Sequence, residues 1–67
     1  MNKFGERIKE LRLEQNKTRN ELAKELNISV RTISYWENNE RECDFDMLIK
    51  ISKLFHVSID FLLGIED

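Results

Sequence analysis

Residues 21–39 read ELAKELNISVRTISYWENN, and two short helical patterns meet in this stretch at Asn27-Ile28-Ser29. The stretch contains no proline or glycine, and a small residue, Ala23, faces the join. With only about three residues between them, the two helices must cross sharply instead of running antiparallel. Backbones approach closely at such a crossing, so the contact position on the first helix needs a small side chain, which Ala23 provides.

The apolar and capping residues agree with this crossing. Thr18 precedes the first helix of the pair with Glu21 three residues later, which is the spacing of a capping box. Asn27 is expected to end that helix in a left-handed conformation, and Ser29 to cap the next helix. The apolar positions that the crossing requires are Leu22, Leu26, Ile28, Ile33 and Trp36. Together these features predict a helix-turn-helix.

Three further helices are predicted from apolar periodicity and capping residues. The first begins after Asn2 and ends near residue 15 or 16. The fourth follows Asp44, and a short fifth helix follows Ser58 and ends before Gly64. The side chains expected to point inward from the first and fourth helices are Phe4, Ile8, Leu11, Leu48, Ile51 and Phe55. The predicted fold is all-α, a compact five-helix bundle in a single domain over residues 1–67.

Composition limits how the chain is stabilised and where it acts. Its 67 residues lie near the lower limit for an independently stable core. One cysteine and one histidine provide neither a disulfide framework nor a metal site. The N-terminal segment MNKFGERIKE lacks the apolar core of a signal peptide, and no apolar run is long enough to span a membrane. We therefore expect a soluble cytoplasmic protein without a cofactor.

Charge is distributed unevenly along the chain. Residues 1–41 carry nine Lys and Arg against seven Asp and Glu, whereas residues 42–67 carry two against six. The net charge is −2, but the first part of the chain is mildly basic. An acidic part beside a basic part is compatible with nucleic-acid binding by one face.

Three segments resemble the lambda-repressor/Cro-like (XRE) family of DNA-binding proteins: TRNELAKELNISVRTISYWENN from residue 18, LIKISK from residue 48 and VSIDFLLG from residue 57. The resemblance covers nearly the whole chain. Four positions depart from the family pattern. Asn27 replaces a frequent Gly in the turn, Lys17 an apolar residue, and Cys43 a frequent Pro. Arg19 replaces a frequent Gln, which favours a phosphate contact there.

The resemblance implies that the third helix enters the major groove of double-stranded DNA. The residues that share its outward face are Val30, Arg31, Ser34, Tyr35 and Asn38. Arg31 is the best candidate to read sequence, because its planar fork can bond both O6 and N7 of guanine. Val30 is expected either to contact a thymine methyl or to complete the core. Thr32, Ser34 and Tyr35 are expected to contact base edges or phosphates, unless Tyr35 lies over neighbouring side chains.

Phosphate contacts are expected around this face. The first turns of the second and third helices, at Thr18-Arg19 and Ser29-Val30, present free N–H groups that bind phosphates. Asn38 and Arg41 are expected to hold the next segment of the DNA backbone. Two further residues, Arg12 and Glu37, match an Arg and a Glu of the family, and we expect them to form a partly buried, bidentate ion pair. Trp36 is expected to lie in the core.

The resemblance also implies a homodimer on an inverted-repeat operator, because one helix-turn-helix reads too few base pairs to be selective. The fourth and fifth helices are more apolar than one core contact requires, so we expect the interface around Ile59, Phe61 and Leu62. In the alternative, Phe61 and Leu62 close the core, and the monomer pairs weakly or only on DNA.

Enzymatic activity finds no support, because the chain has no Gly-rich phosphate loop, metal-ligand cluster or nucleophile–base pair. Nor does any feature indicate a small-molecule ligand. Two functions remain. The first is a sequence-specific transcriptional regulator of the kind found in bacteria, phages and mobile elements. A repressor is favoured over an activator. The second is an antitoxin-like or anti-repressor module that binds a protein through its acidic half. The polar outward face of the third helix favours the first.

Overall fold

The computed structural model describes residues 2–65, which form five α-helices. They are α1 (Phe4–Glu14), α2 (Arg19–Leu26), α3 (Val30–Glu37), α4 (Phe45–Phe55) and α5 (Ile59–Leu63). The predicted all-α fold is confirmed. The Cα radius of gyration is 10.7 Å, against about 11 Å expected for a compact chain of this length. None of the helices in residues 2–65 has the length and apolar character needed to span a membrane.

The N-caps of four helices are the predicted ones. The side chains of Thr18, Ser29, Asp44 and Ser58 each accept a hydrogen bond from the N–H three residues later. At α2 the capping box is complete, because Thr18 N–H also donates to the Glu21 carboxylate at 2.8 Å. Each such cap contributes about 1 kcal/mol of stability.

The start of α1 differs from the prediction. Lys3 occupies its N-cap position without a capping side chain. Asn2 lies one residue earlier, and its Oδ1 accepts a hydrogen bond from Phe4 N–H at 2.9 Å. Asn2 therefore satisfies one free N–H of the helix, but from outside the N-cap position.

A left-handed residue follows each of the five helices. Asn16, Asn27, Asn39 and His56 have φ values between 55° and 59°, and Gly64 has a φ of 79°. Asparagine tolerates this conformation better than most residues. The chain therefore turns after α1, α2 and α3 without a glycine, as predicted for Asn27.

The core lies where all five helices meet. Its buried residues are Phe4, Ile8, Leu11, Leu22, Ala23, Leu26, Ile33, Trp36, Leu48, Ile51, Phe55 and Leu62. Every predicted inward residue is among them except Ile28, which is partly buried against the cluster. The Phe4 and Trp36 rings meet edge to face at 5.4 Å, so Trp36 is a core residue as expected. Val30 does not complete the core, because 40% of its surface is exposed.

One close approach was not predicted. Gly5 lies in the first turn of α1, directly against the C-terminal end of α3. A Cβ at this position would overlap the Trp36 carbonyl oxygen and the Asn39 side chain. The fold therefore requires a residue without a side chain at a helical position, where glycine would otherwise cost about 1 kcal/mol relative to alanine.

The Arg12–Glu37 ion pair is present. Arg12 Nε donates to Glu37 Oε2 at 2.7 Å, and Arg12 Nη2 donates to Glu37 Oε1 at 3.1 Å. Arg12 Nη1 also donates to the Lys17 carbonyl oxygen at 2.8 Å. Both charged side chains are buried. The pair therefore ties α1 and the α1–α2 loop to the end of α3.

The interface expected on α5 needs one correction. Leu62 is fully buried in the core of its own chain, so it has no surface to offer a partner. Ile59 and Phe61 are half-buried, and the Arg7 guanidinium lies 4.4 Å from the Phe61 ring centroid. The most exposed large apolar residues are Phe45 (84%) at the start of α4 and Ile65 (72%) after α5.

Candidate nucleic-acid interface

The crossing of α2 and α3 is fixed by contacts at their join. Ala23 is buried there, and its carbonyl oxygen accepts a hydrogen bond from Ile28 N–H at 3.0 Å. Lys50 reaches across from α4, and its Nζ donates to the Leu26 carbonyl oxygen at 3.1 Å. A cation at this end of α2 complements the partial negative charge of the helix C-terminus. The orientation of α3 is thus set by both α2 and α4.

The outward face of α3 carries the residues predicted for it. Val30, Arg31 and Asn38 are exposed, whereas Ser34 and Tyr35 are half-buried. The opposite side of the helix is formed by buried core residues. Among residues 2–65, none forms a hydrogen bond or ion pair with the Arg31 guanidinium. All five of its N–H donors therefore face solvent and are available to a ligand.

Two hydroxyl groups meet at the N-terminus of α3. Ser29 Oγ accepts a hydrogen bond from Thr32 N–H at 3.3 Å and lies 2.9 Å from Thr32 Oγ1. One hydroxyl proton joins the two oxygens, so the other proton is left to donate outward. The pair can therefore cap the helix and contact an anion at the same time.

Arg19 lies at the first position of α2 beside Thr18, and its partner was not predicted. Arg19 Nε donates to Glu37 Oε1 at 3.1 Å, and the same oxygen accepts from Arg12. The Arg19 side chain remains 40% exposed. Because only Nε is used, both terminal amino groups of Arg19 are left for other acceptors.

The charged groups of Arg12, Arg19 and Glu37 together carry a net positive charge. Burial alone would raise the pKa of the Glu37 carboxyl, but hydrogen bonds from Arg12 and Arg19 outweigh it and lower that pKa. Glu37 is therefore ionised at neutral pH and balances one of the two guanidinium groups. The other charge lies at the start of α2, where Arg19 is exposed. Sequence reasoning missed this pair because Arg19 and Glu37 are 18 residues apart and meet only through the crossing.

Arg41 returns to α3 after its C-terminal end. The N–H groups of Glu40 and Arg41 both donate to the Tyr35 carbonyl oxygen, at 2.8 and 3.3 Å. The Arg41 guanidinium carbon lies 4.5 Å from the Tyr35 ring centroid. Tyr35 therefore contacts a neighbouring side chain, which is one of the two placements expected for it, and its contact with DNA stays a prediction. Asn38, at the C-cap of α3, is exposed beside this turn.

Cys43 and a groove beside it lie next to α3. Cys43 is half-buried, and its burial raises the pKa of the thiol to about 11, so the thiol stays protonated at neutral pH. A groove of about 280 Å³ lies between Cys43 and the α3 residues Thr32 and Tyr35. Within residues 2–65, no three His, Cys, Asp or Glu side chains are close enough to hold a metal ion.

A pair of crossed helices with an outward polar face defines a helix-turn-helix domain. A sequence model of the helix-turn-helix family matches residues 8–62, and the chain belongs to this family, in its lambda-repressor/Cro-like (XRE) type.

Its relatives are named as transcriptional regulators. The chain is 41% identical over 64 residues to the HTH-type transcriptional regulator ImmR of Bacillus subtilis, covering 96% of this chain and 50% of that protein. It is 39% identical over 64 residues to the HTH-type transcriptional activator BcrR of Enterococcus faecalis, covering 96% of this chain and 31% of that protein. The chain thus spans half the length of the first and under a third of the second.

A solved structure has the same fold. The crystal structure of a transcriptional regulator from Listeria innocua superimposes with a TM-score of 0.91. The two chains are 31% identical, and the match covers 100% of this chain and 63% of the other.

Proposed function

We propose that this chain binds double-stranded DNA in a sequence-specific manner, as a transcriptional regulator acting in the cytoplasm. The observation that carries the proposal is the outward face of α3, where Arg31 has no partner among the described residues. A helix of this kind fits the major groove, in which each base pair presents a distinct pattern of donors and acceptors. The family and the names of the relatives support the same function.

Arg31 reads a guanine, and neighbouring residues of α3 make further contacts with the DNA. The guanidinium fork bonds O6 and N7 together, which no other base pair offers in the same geometry. Val30, exposed one residue earlier, contacts a thymine methyl. Ser34 and Asn38 lie on the same face and contact base edges or the flanking backbone.

Phosphates bind on both sides of α3. Arg19 offers its two free amino groups to a phosphate at the start of α2, next to Thr18. The Ser29–Thr32 hydroxyl pair offers one O–H donor to a phosphate at the start of α3. These groups fix the position of the protein on the duplex without reading its sequence. Their binding weakens as salt rises, because each neutralised phosphate releases counterions.

Two copies of the chain bind an inverted repeat. The apolar surface that supports pairing consists of Phe45 and Ile49, one turn apart on α4, together with Ile65 after α5. Ile59 and Phe61 on α5 are half-buried and stay in the proposed interface, whereas Leu62 is fully buried and takes no part. Recognition helices in such a dimer lie about 34 Å apart, one turn of the duplex.

Repression is the proposed direction of regulation. A protein that represses by covering a promoter needs no contacts beyond those with DNA, and the DNA contacts proposed above are sufficient for this. One relative is named an activator, so the direction is tested separately from binding. A reporter gene downstream of the selected site loses expression if the protein represses and gains expression if it activates.

The second candidate is an antitoxin-like or anti-repressor module. The observation in its favour is Phe45, which is 84% exposed between two acidic neighbours, Asp44 and Asp46. An exposed apolar side chain with two acidic sequence neighbours suits a basic protein partner.

Selection of bound sites from a random duplex pool tests the proposal. The expected result is an enriched inverted repeat with a guanine in each half-site, and binding to random duplex that falls steeply with salt. No enrichment, together with no binding of any duplex at low salt, would reject DNA binding and leave the protein-interaction module.

A further inference from the structure

Three contacts hold residues 40 and 41 against Tyr35. Two are main-chain hydrogen bonds to the Tyr35 carbonyl oxygen, from the N–H groups of Glu40 and Arg41. The third is the guanidinium itself, which lies over the Tyr35 ring at 4.5 Å. Asn39, in a left-handed conformation, makes the reversal that brings Arg41 back to the helix.

Arg41 has carboxylates within reach but does not use them. Glu40 and Glu42 flank it in the sequence, and both are exposed. The Glu42 carboxylate instead accepts a hydrogen bond from the Asn2 amide. Within residues 2–65 no ion pair joins Arg41 to either neighbour, so its N–H groups are not engaged by a carboxylate.

The contact between the Arg41 guanidinium and the Tyr35 ring leaves the N–H groups of Arg41 available to a phosphate. An ion pair would engage the N–H edge of the group, and that edge is also what a phosphate binds. The contact with the Tyr35 ring uses no hydrogen-bond acceptor, because the ring attracts the cation through its π electrons. All five N–H donors of Arg41 therefore remain free, while the long side chain is already restrained.

We propose that Tyr35 is a positioning residue, whose ring holds Arg41 for a phosphate of bound DNA and does not itself read a base. The inference deepens the proposed function and rests on it. It assigns Tyr35 a different role from Arg31 on the same helix. Tyr35 affects binding through the charge of Arg41, equally for every DNA sequence.

A double-mutant cycle on random 20-base-pair duplex and on the selected site tests this role. The variants are Tyr35→Leu, Arg41→Ala and their combination, with Tyr35→Phe as the matched control that keeps the ring and lacks the hydroxyl. Circular dichroism melts verify folding. Tyr35→Leu is expected to weaken binding about two- to fivefold on both duplexes, and Tyr35→Phe to change it by less than twofold. Arg41→Ala is expected to lower the salt slope by about 1.

The double variant Tyr35→Leu/Arg41→Ala shows whether Tyr35 acts through Arg41. In the Arg41→Ala background, Tyr35→Leu is expected to have no further effect on affinity. Arg41→Lys adds a check that leaves the α3 residue intact, because lysine keeps the charge but cannot stack flat. The advantage of arginine over lysine is expected to be larger with Tyr35 present than in Tyr35→Leu.

Three results would overturn the inference. A Tyr35→Phe loss as large as that of Tyr35→Leu would assign the contact to the hydroxyl. A Tyr35→Leu loss that persists without Arg41 would show that the two act independently. A loss confined to the selected site would make Tyr35 a base-reading residue. Wild-type protein that binds no duplex at low salt would instead reject the proposed function, and this inference with it.

Discussion

The region around the α2–α3 crossing and the region of α4 and α5 are stabilised differently. At the crossing, a buried carboxylate, Glu37, accepts hydrogen bonds from two arginines on two other helices. In the second region, apolar side chains such as Ile51 and Leu62 form the core, while Phe45 remains largely exposed. Directional contacts set the angle at which α3 presents its polar face. Apolar packing in the second region leaves Phe45 exposed, and this is the surface on which we propose pairing.

The largest expected effect comes from breaking the directional contacts. Arg12→Ala is expected to lower the free energy of unfolding by about 3 kcal/mol, because it leaves the Glu37 carboxylate buried with only Arg19 as a partner. Chemical denaturation at pH 7 measures this. The folded-state pKa of Glu37 is lowered, so the stability from its ionised form is present above about 4.5 and is lost as the pH falls through the folded-state value. The penalty of Arg12→Ala should therefore shrink in acid. An unchanged stability at pH 7 would contradict the account.

Gly5→Ala probes the close approach between α1 and the C-terminal end of α3. The new Cβ would overlap the Trp36 carbonyl oxygen, so the free energy of unfolding is expected to fall by about 2 kcal/mol. Glu6→Ala is the control, because Glu6 is exposed in the same turn of α1 and should change stability by no more than about 0.5 kcal/mol. A Gly5→Ala variant more stable than the wild type, as helix propensity alone predicts, would show that the contact is not tight.

Phe45→Glu tests the apolar surface of the second region. Each dimer contains two copies of Phe45, so self-association is expected to weaken by about 2 kcal/mol, or roughly thirtyfold in the dissociation constant. Sedimentation with and without DNA measures the effect, and Leu13→Glu is the control at an exposed leucine of α1. If both variants associate like the wild type, the interface lies elsewhere. If the wild type binds a single unrepeated half-site with full affinity as a monomer, the dimer proposal fails.

Arg31→Ala tests the outward face of α3. Loss of one bidentate guanine contact is expected to weaken binding to the selected site about tenfold per half-site and to relax the preference at one base pair. Binding to scrambled DNA should change much less. An unchanged ratio between the two affinities would make Arg31 a phosphate contact only.

Arg19→Gln gives the smallest expected change in stability. The ion pair with Glu37 is half-exposed, and a positive charge at a helix N-terminus opposes the helix dipole. These terms offset, so stability should change by less than about 0.5 kcal/mol. Binding to all DNA sequences should nevertheless weaken, with a salt slope lower by about 1 per protomer. A large loss of stability would make Arg19 a structural residue.

Local sequence rules predicted most of the fold. Thr18, Ser29 and Asp44 cap helices because a hydroxyl or carboxylate acts on N–H groups within three residues, which a sequence reveals directly. Arg12 and Glu37 were paired from the family pattern. The addition of Arg19 to that pair depends on the angle of the crossing, which no local rule provides.

The features that sequence did not predict also depend on how the helices pack. Leu62 and its neighbours Ile59 and Phe61 are all apolar, and a five-residue helix allows several faces to point inward, so pattern alone did not identify the buried one. The Gly5 contact shows only as a glycine in a helical turn, a signal that was present but not interpreted. The stacking of Arg41 on Tyr35 depends on a turn after α3 that sequence did not define.

The central claim is that Arg31 of α3 reads a guanine in the major groove. The most direct measurement compares the selected site with the same site in which each guanine in turn is replaced by 7-deazaguanine, which lacks the N7 acceptor. For the wild type, we predict about tenfold weaker binding at one guanine per half-site and little change elsewhere. For Arg31→Ala, the same replacement should have no effect. Wild-type affinity that is unchanged by every replacement would contradict the claim.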